Sequence, residues 1–212
     1  MARKRSYVLI FDADGTLVDS IERFSYPGVC EVFRQSGVPE PSFEDYCEHF
    51  SAPFTEYYRS RGITASREQI YEWYHTKARH AEAPLFADVA PILRILSRVE
   101  LECTLAVVSA QRSSVLVRQL ESVSRHFDLI VGEQEDKAHE ISRVREMHTL
   151  PSERVLYIGD FCSDVRDARR AGVTSVGITR GRKTRHVLER AGAHHVIDHL
   201  EGLLGLLHRQ EH

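Results

Sequence analysis

The residues of this chain that could do chemistry are Asp12 and Asp14 in Asp12-Ala13-Asp14-Gly15-Thr16, Ser109 in Val108-Ser109-Ala110, Lys137 in Glu135-Asp136-Lys137, and Asp160 and Asp164 in Gly159-Asp160-Phe161-Cys162-Ser163-Asp164. Acids, a hydroxyl and a lysine serve cation binding, proton transfer, nucleophilic attack and the binding of anionic oxygens. Asp12 and Asp14 follow an unbroken apolar run, Tyr7-Val8-Leu9-Ile10-Phe11, which suits a strand buried on both faces of a parallel sheet. Ligands of open α/β sheets bind at the carboxyl ends of the strands. Acids there are poorly placed for a structural role and well placed for chemistry. The letters Asp-x-Asp-Gly also occur in calcium-binding loops and in plain polar turns, so they leave those readings open.

The elements that must position these side chains read as alternating strands and helices. Later strands are expected at Leu105–Val108, His126–Val131, Val155–Ile158 and Ser175–Ile178, with a short extra strand at His195–Ile197. Helices are expected from Ala90 to Val99, Ser113 to Ser122, Ala138 to His148, Val165 to Ala171 and near Leu200–Leu207. Lys137 falls in the loop before its helix. Repeated βα spacing predicts an α/β fold, a doubly wound parallel sheet of Rossmann-like type. On it Asp12 and Asp14, Ser109, Lys137, and Asp160 with Asp164 follow four different strands and face one sheet edge, a coincidence hard to obtain by chance.

Between the first and second strands lies a helical, aromatic-rich and strand-poor stretch. Ser20 to Gly37 reads as a helix with Ser20 as N-cap, kinked or split at Pro27-Gly28. Ser66 with Gln69 fits a capping box. Trp73, Tyr57, Tyr58, Tyr71 and Tyr74 read as the small core of this lobe rather than as a binding box. The organisation is thus a catalytic core of residues 1–19 and 85–212 with a helical insert of residues 20–84.

The motifs and their order resemble the haloacid dehalogenase superfamily: Asp-Ala-Asp-Gly-Thr, then Ser109, then Lys137, then Gly-Asp160-x-x-x-Asp164. Motifs one and four carry the resemblance most specifically, and Ala138 stands where the family often has proline. The insert after motif one is similar to the α-helical C1 cap of phosphoglycolate phosphatases. The resemblance implies a Mg²⁺-dependent phosphatase acting on a small phosphomonoester metabolite. Asp12 would be the nucleophile that forms an aspartyl-phosphate, and Asp14 the general acid and base. Asp12, the backbone carbonyl of Asp14, Asp160 and, through water or from a second layer, Asp164 would hold the metal. Thr16, Ser109, the Ala110 N–H and Lys137 would bind the phosphoryl oxygens, and Lys137 would offset the carboxylates. Tyr26, His49, Tyr57, Tyr58 and Arg61 are candidate cap contacts to substrate. A dehalogenase needs no second acid like Asp14, and a phosphonate hydrolase of this branch uses a cap lysine, for which Lys77 is poorly placed. A phosphomutase, a pyrophosphatase and a non-catalytic phosphate-binding module remain as alternatives.

Each residue also has a plainer reading. Ser109 and Asp164 can cap helices, Lys137 sits in a charge run, Asp167 reads as surface, and Cys162 as packing. The basic run Arg180 to Arg185 reads as a solvated loop, with an anionic substrate tail as the sharper reading. The 28 basic and 31 acidic residues nearly balance, and no apolar stretch approaches the ~20 residues of a membrane span, so neither nucleic acid nor membrane is expected as partner. The basic start, MARKRS, precedes an apolar run too short for a signal peptide. Four scattered cysteines fit free thiols in a cytoplasmic protein, monomer or homodimer, and the 12 histidines lack a metal-ligand spacing.

Overall fold

A computed structural model describes residues 6–50, 53–98, 101–134 and 136–209. The basic residues 1–5 and the expected helix end at Val99 lie outside the described residues.

Among the described residues six parallel strands form one sheet: β1 (Tyr7–Phe11), β2 (Cys103–Val108), β3 (Leu129–Val131), β4 (Val155–Gly159), β5 (Thr174–Ile178) and β6 (His195–Ile197), in the order β3-β2-β1-β4-β5-β6. Every β1 residue is buried. Successive side chains of a strand point to opposite faces, and β1 divides accordingly. Leu9 and Phe11 join one hydrophobic cluster with Leu93, Leu105 and Leu203, while Val8 and Ile10 join another with Ile141, Val144 and Tyr157. That two-sided burial is why the run carries no polar break. From β1 the chain proceeds to β2 and β3 on one side, then crosses to β4 on the other. The carboxyl ends of β1 and β4 therefore flank the point where the winding reverses, where such sheets form a crevice.

The core helices are α5 (Val89–Leu96), α6 (Ser113–Leu120), α7 (Lys137–Glu146), α8 (Cys162–Arg170), α9 (Arg185–Arg190) and α10 (Gly202–Arg209). The third strand begins at Leu129 and not at His126, because Ser124–His126 form a 3₁₀ turn and Asp128 caps Leu105 N–H from the strand entrance. Lys137 is the first residue of α7 rather than a loop residue, since the Asp136 side chain caps the Ala138 N–H at 3.2 Å.

Between β1 and β2 lie α1 (Tyr26–Gln35), α2 (Phe43–His49), α3 (Phe54–Ser60) and α4 (Arg67–Lys77). They share a hydrophobic cluster of their own around Phe33, Tyr46, Tyr57, Tyr58 and Ile70, with Trp73 packed on its edge. The capping box at Ser66 and Gln69 is present. The expected first helix is broken upstream of Pro27. Residues Ile21–Ser25 form a π-helical turn, closed by Ser25 N–H on Ser20 O, and Pro27 sits in the first turn of α1, where its missing N–H costs nothing. The Ser20 hydroxyl caps no helix; it is spent on Asp14. The insert leaves and rejoins the core side by side, with Asp19 N–H donating to Pro84 O and Val18 bridging Leu85. Among the described residues no helix is long and apolar enough to cross a membrane.

Candidate active site

The end of β1 places Asp12, whose N–H donates to Ile158 O of β4. The chain then turns tightly through Gly15, at φ +79°, a conformation that side chains resist. A Cβ there would lie 2.6 Å from Asp160 Oδ2, so the turn also needs glycine to let the two acid loops meet. Gly181 approaches the same carboxylate from a third loop, where a Cβ would come within 2.0 Å of it.

These close approaches bring oxygens of Asp12, Asp160 and Asp164 within 4.8 Å of one another, all buried. Lys137 Nζ lies between two of them, 2.9 Å from Asp12 Oδ1 and 2.8 Å from Asp164 Oδ1. Burial, aided by neighbouring acids and opposed by Lys137, raises the Asp12 and Asp164 carboxyls above the ordinary range. Burial raises Asp160 likewise against the pull of Arg182. For Lys137 burial favours the neutral amine, yet Asp12 and Asp164 reverse that and hold it firmly protonated. One lysine among three acids leaves an excess of negative charge. Asp160 Oδ1 is buried and has no hydrogen-bond partner among the described residues, while its Oδ2 accepts from Arg182 N–H at 2.9 Å. An unpaired buried carboxylate oxygen facing other acids is costly, and a hard divalent cation with oxygen ligands relieves it. The donor set therefore fits a metal. Asp164 also takes the helix-capping role open to it, its Oδ2 accepting from Phe161 N–H at 3.0 Å.

Asp14 is treated differently. Its carboxylate accepts from Ser20 Oγ at 2.6 Å, Gln111 Nε2 at 2.9 Å and Gln119 Nε2 at 3.3 Å, and His80 Nδ1 stands 3.3 Å away. Burial works against the charge, but His80 and these hydrogen bonds outweigh it and hold Asp14 well below the usual carboxylate range. His80 is in turn set by Tyr74 OH at 2.6 Å. Two acids two residues apart thus sit in opposite electrostatic surroundings.

Ser109 is buried after β2, and its Oγ accepts from Gln111 N–H at 3.2 Å, shaping the loop rather than capping α6, whose N-cap is Arg112. Ala110 is exposed on the same loop and lines the cavity above Asp14. Thr16 is fully buried; its carbonyl accepts from Arg180, and its hydroxyl has no partner among the described residues.

Several expectations about neighbouring residues fail. From Arg180 to Lys183 the basic run after β5 is no solvated loop, while Arg185, the first residue of α9, is exposed as expected. Arg180 pairs with Asp88 and lies over the Phe86 ring at 4.3 Å, Arg182 Nε donates to Tyr46 OH at 3.0 Å, and Lys183 Nζ reaches the carbonyls of Cys47 and Glu48. The loop ties the metal-type cluster to α2 of the insert. Asp167 is buried rather than on the surface, and burial with the nearby Asp164 charge pushes it up to about 6. Of the cap candidates only Tyr58 lines the cavity facing Asp14. Tyr26 bonds Pro41 O, Tyr57 packs in the insert's core, and His49 and Arg61 both pair with Asp45. Sequence reasoning missed His80, Gln111 and Gln119. Gln111, two residues after Ser109, lay within reach of the motif; His80 and Gln119 carry no spacing signal to Asp14.

Known proteins resemble this chain in sequence and in fold. A protein provisionally named pyrophosphatase PpaX from Caldanaerobacter subterraneus is 26% identical over 179 residues, 80% of each chain. The phosphoglycolate phosphatase of Vibrio parahaemolyticus is 22% identical over 96% of this chain and 97% of that one. A haloacid dehalogenase-like family hydrolase from Streptococcus pneumoniae shares the fold, with a TM-score of 0.76 at 24% identity over 94% of this chain and 97% of that one. Residues 9–178 match the model of the haloacid dehalogenase-like hydrolases, and the chain belongs to that family.

Proposed function

We propose that this hydrolase is a Mg²⁺-dependent phosphatase that releases phosphate from a small phosphomonoester through an aspartyl-phosphate on Asp12, with residues 20–84 as its cap. The observation that carries the reading is the buried cluster of Asp12, Asp160 and Asp164, with Lys137 paired to Asp12 and Asp164 and one Asp160 oxygen unpartnered among the described residues. The names of the relatives, a phosphoglycolate phosphatase and a provisional pyrophosphatase, support phosphate as the group transferred.

Asp12, Asp160 and the Asp14 carbonyl would hold the cation, with Asp164 beside them. Bound there, it would neutralise charge on the transferring phosphoryl oxygens. Lys137 favours the ionised, nucleophilic form of Asp12 against the effect of burial and offers N–H donors to the phosphoryl group. Ser109, the Ala110 N–H and Thr16 orient its remaining oxygens. Asp12 attacks phosphorus, the ester bond breaks, and the leaving oxygen takes a proton from Asp14. Water then attacks the aspartyl-phosphate, gives its proton to Asp14, and phosphate departs with the Asp12 carboxylate restored. In the substrate-free arrangement Asp14 is a carboxylate, the form that accepts the proton from water. An arriving phosphate dianion raises its pKa, so Asp14 takes a proton from solvent and holds it for the first half-reaction.

The test is phosphate release from a panel of phosphorylated metabolites, with Mg²⁺ or with a chelator, beside Asp12→Asn. Metal-dependent release lost in Asp12→Asn is the expected result. Release that survives the substitution contradicts the covalent mechanism. The binding-module reading gains nothing from the site, because Asp14 is held by four side chains that mere phosphate binding does not require.

A further inference from the structure

A cavity of about 180 Å³ lies between the insert and the sheet edge. Its floor includes Asp14, Ala110 and Gln111, and its walls include Phe50, Phe54, Tyr58, Ile70, Tyr71 and Tyr74. Asp14 faces the leaving oxygen in the reaction above, so whatever fills this space is the alcohol portion of the ester. We propose that this portion is a single aromatic ring on a short linker, so that the enzyme's substrates are phosphate monoesters of arylmethanol-type alcohols. This rests on the phosphatase reading of the site and deepens it.

Size, shape and charge each point there. An apolar cavity of roughly 150 Å³ accepts benzene, so 180 Å³ holds one six-membered ring and a linking carbon. Phe54 stands edge-on to Tyr71, with ring centroids 5.5 Å apart, and Phe50 to Tyr57 at 5.1 Å. A third ring gains from edge and face contacts with walls of this kind. The inner cation of the cavity is already engaged. Arg182 donates to Tyr46 OH and lies over the rings of Tyr46, Phe50 and Phe161. Arg112, at the exposed mouth, lies over the Tyr71 ring at 5.5 Å. Burial, with Arg112 nearby, pushes His75 down to about 4, so its imidazole is neutral near pH 7. A glycolate carboxylate or a second phosphate would enter a ring-walled space whose inner cation, Arg182, is turned to Tyr46, leaving only Arg112 at the solvent-exposed mouth, an environment that disfavours it.

The test compares benzyl phosphate, ethyl phosphate, 2-phosphoglycolate and inorganic pyrophosphate as substrates of the intact protein with Mg²⁺. Alongside, binding of benzylphosphonate and ethylphosphonate, which resist hydrolysis, is measured by calorimetry. The expected kcat/KM for benzyl phosphate exceeds each of the other three by about tenfold or more, in line with the binding differences apolar pockets generate. The two phosphonates differ in the same direction. Tyr71→Ala and Phe54→Ala, at half-buried positions, lower the benzyl-to-ethyl ratio toward one in both measurements. Ratios near one in the wild type, or a preference for phosphoglycolate or pyrophosphate, overturn the ring-slot inference; Asp12-dependent turnover of any ester would then leave the phosphatase reading standing. Tight benzylphosphonate binding with no turnover of any ester does the reverse, supporting the slot and sinking the phosphatase reading.

Discussion

The two halves of the site are built on opposite principles. The sheet-edge half is made of charge. Asp12 and Asp164 hold Lys137 between them and Asp160 stands beside them with Arg182 N–H on one oxygen, each acid delivered by a short loop after a strand or at a helix start. The insert half is made mostly of rings, and its cavity-facing side chains come from α1, α2, α3, α4 and the segments beside them. One loop, Arg180 to Lys183, joins them, with Arg182 N–H on Asp160 and its guanidinium on Tyr46. The difference teaches where chemistry and selectivity reside. Phosphoryl transfer needs fixed charges at fixed distances, so the core supplies them. Under the proposed function, choice among leaving groups needs shape and apolar area, which the insert would supply.

The comparison breaks first if the charged half is dispensable. Asp12→Asn should lower kcat by more than about 1,000-fold, the scale seen when a covalent nucleophile is removed. A chelator should lower wild-type activity comparably, with recovery on adding Mg²⁺; steady-state phosphate release reads both. Lys137→Met should lower kcat by about 100-fold or more, as loss of one preorganised donor does, and leave the acid cluster uncompensated. The joining loop gives the next effect. Arg182→Ala should raise KM about tenfold with a smaller change in kcat, because it loosens the insert while the nucleophile stays in place. Equal losses in kcat and kcat/KM would instead place Arg182 in the chemistry.

The smallest effect concerns stability alone. Burial, then Asp164, raise Asp167 to about 6, against the opposing pull of Lys137 and Arg170. A carboxyl raised on folding costs stability where it is ionised, so the penalty is absent below about pH 4, grows through pH 4 to 6, and is complete above. Asp167→Asn should therefore stabilise the fold at pH 7, by on the order of 1–3 kcal/mol, and flatten stability between pH 4 and 6. The ion pair lost to exposed Arg170 offsets little of this. Denaturant unfolding at several pH values measures it.

The charged half was the legible one. Asp12, Asp14, Asp160 and Asp164 each follow a strand whose apolar run announces itself, and a strand's end fixes where its next residues point. The sequence could not show that Asp12 and Asp14 are held oppositely, because His80 and Gln119 reach Asp14 from 66 and 105 residues away. The ring half was legible as a helical insert with an aromatic core, and Trp73 and Tyr57 behave that way. Which rings face Asp14 was hidden, because helix packing and not spacing decides it; Tyr58 faces the cavity and the adjacent Tyr57 does not line it. The basic run misled for the same reason. Arg182 and Lys183 look like solvated charge until α2 is seen packed over them.

The central claim is that Asp12 carries the phosphoryl group. The direct measurement is rapid acid quench of the enzyme during turnover, borohydride reduction of any acyl phosphate, and mass analysis of the peptide containing residue 12. The account predicts that peptide with the Asp12 carboxyl reduced to an alcohol, in amounts that rise and fall with turnover and are absent without substrate. Turnover with an unmodified Asp12, or reduction at another carboxylate, would contradict it.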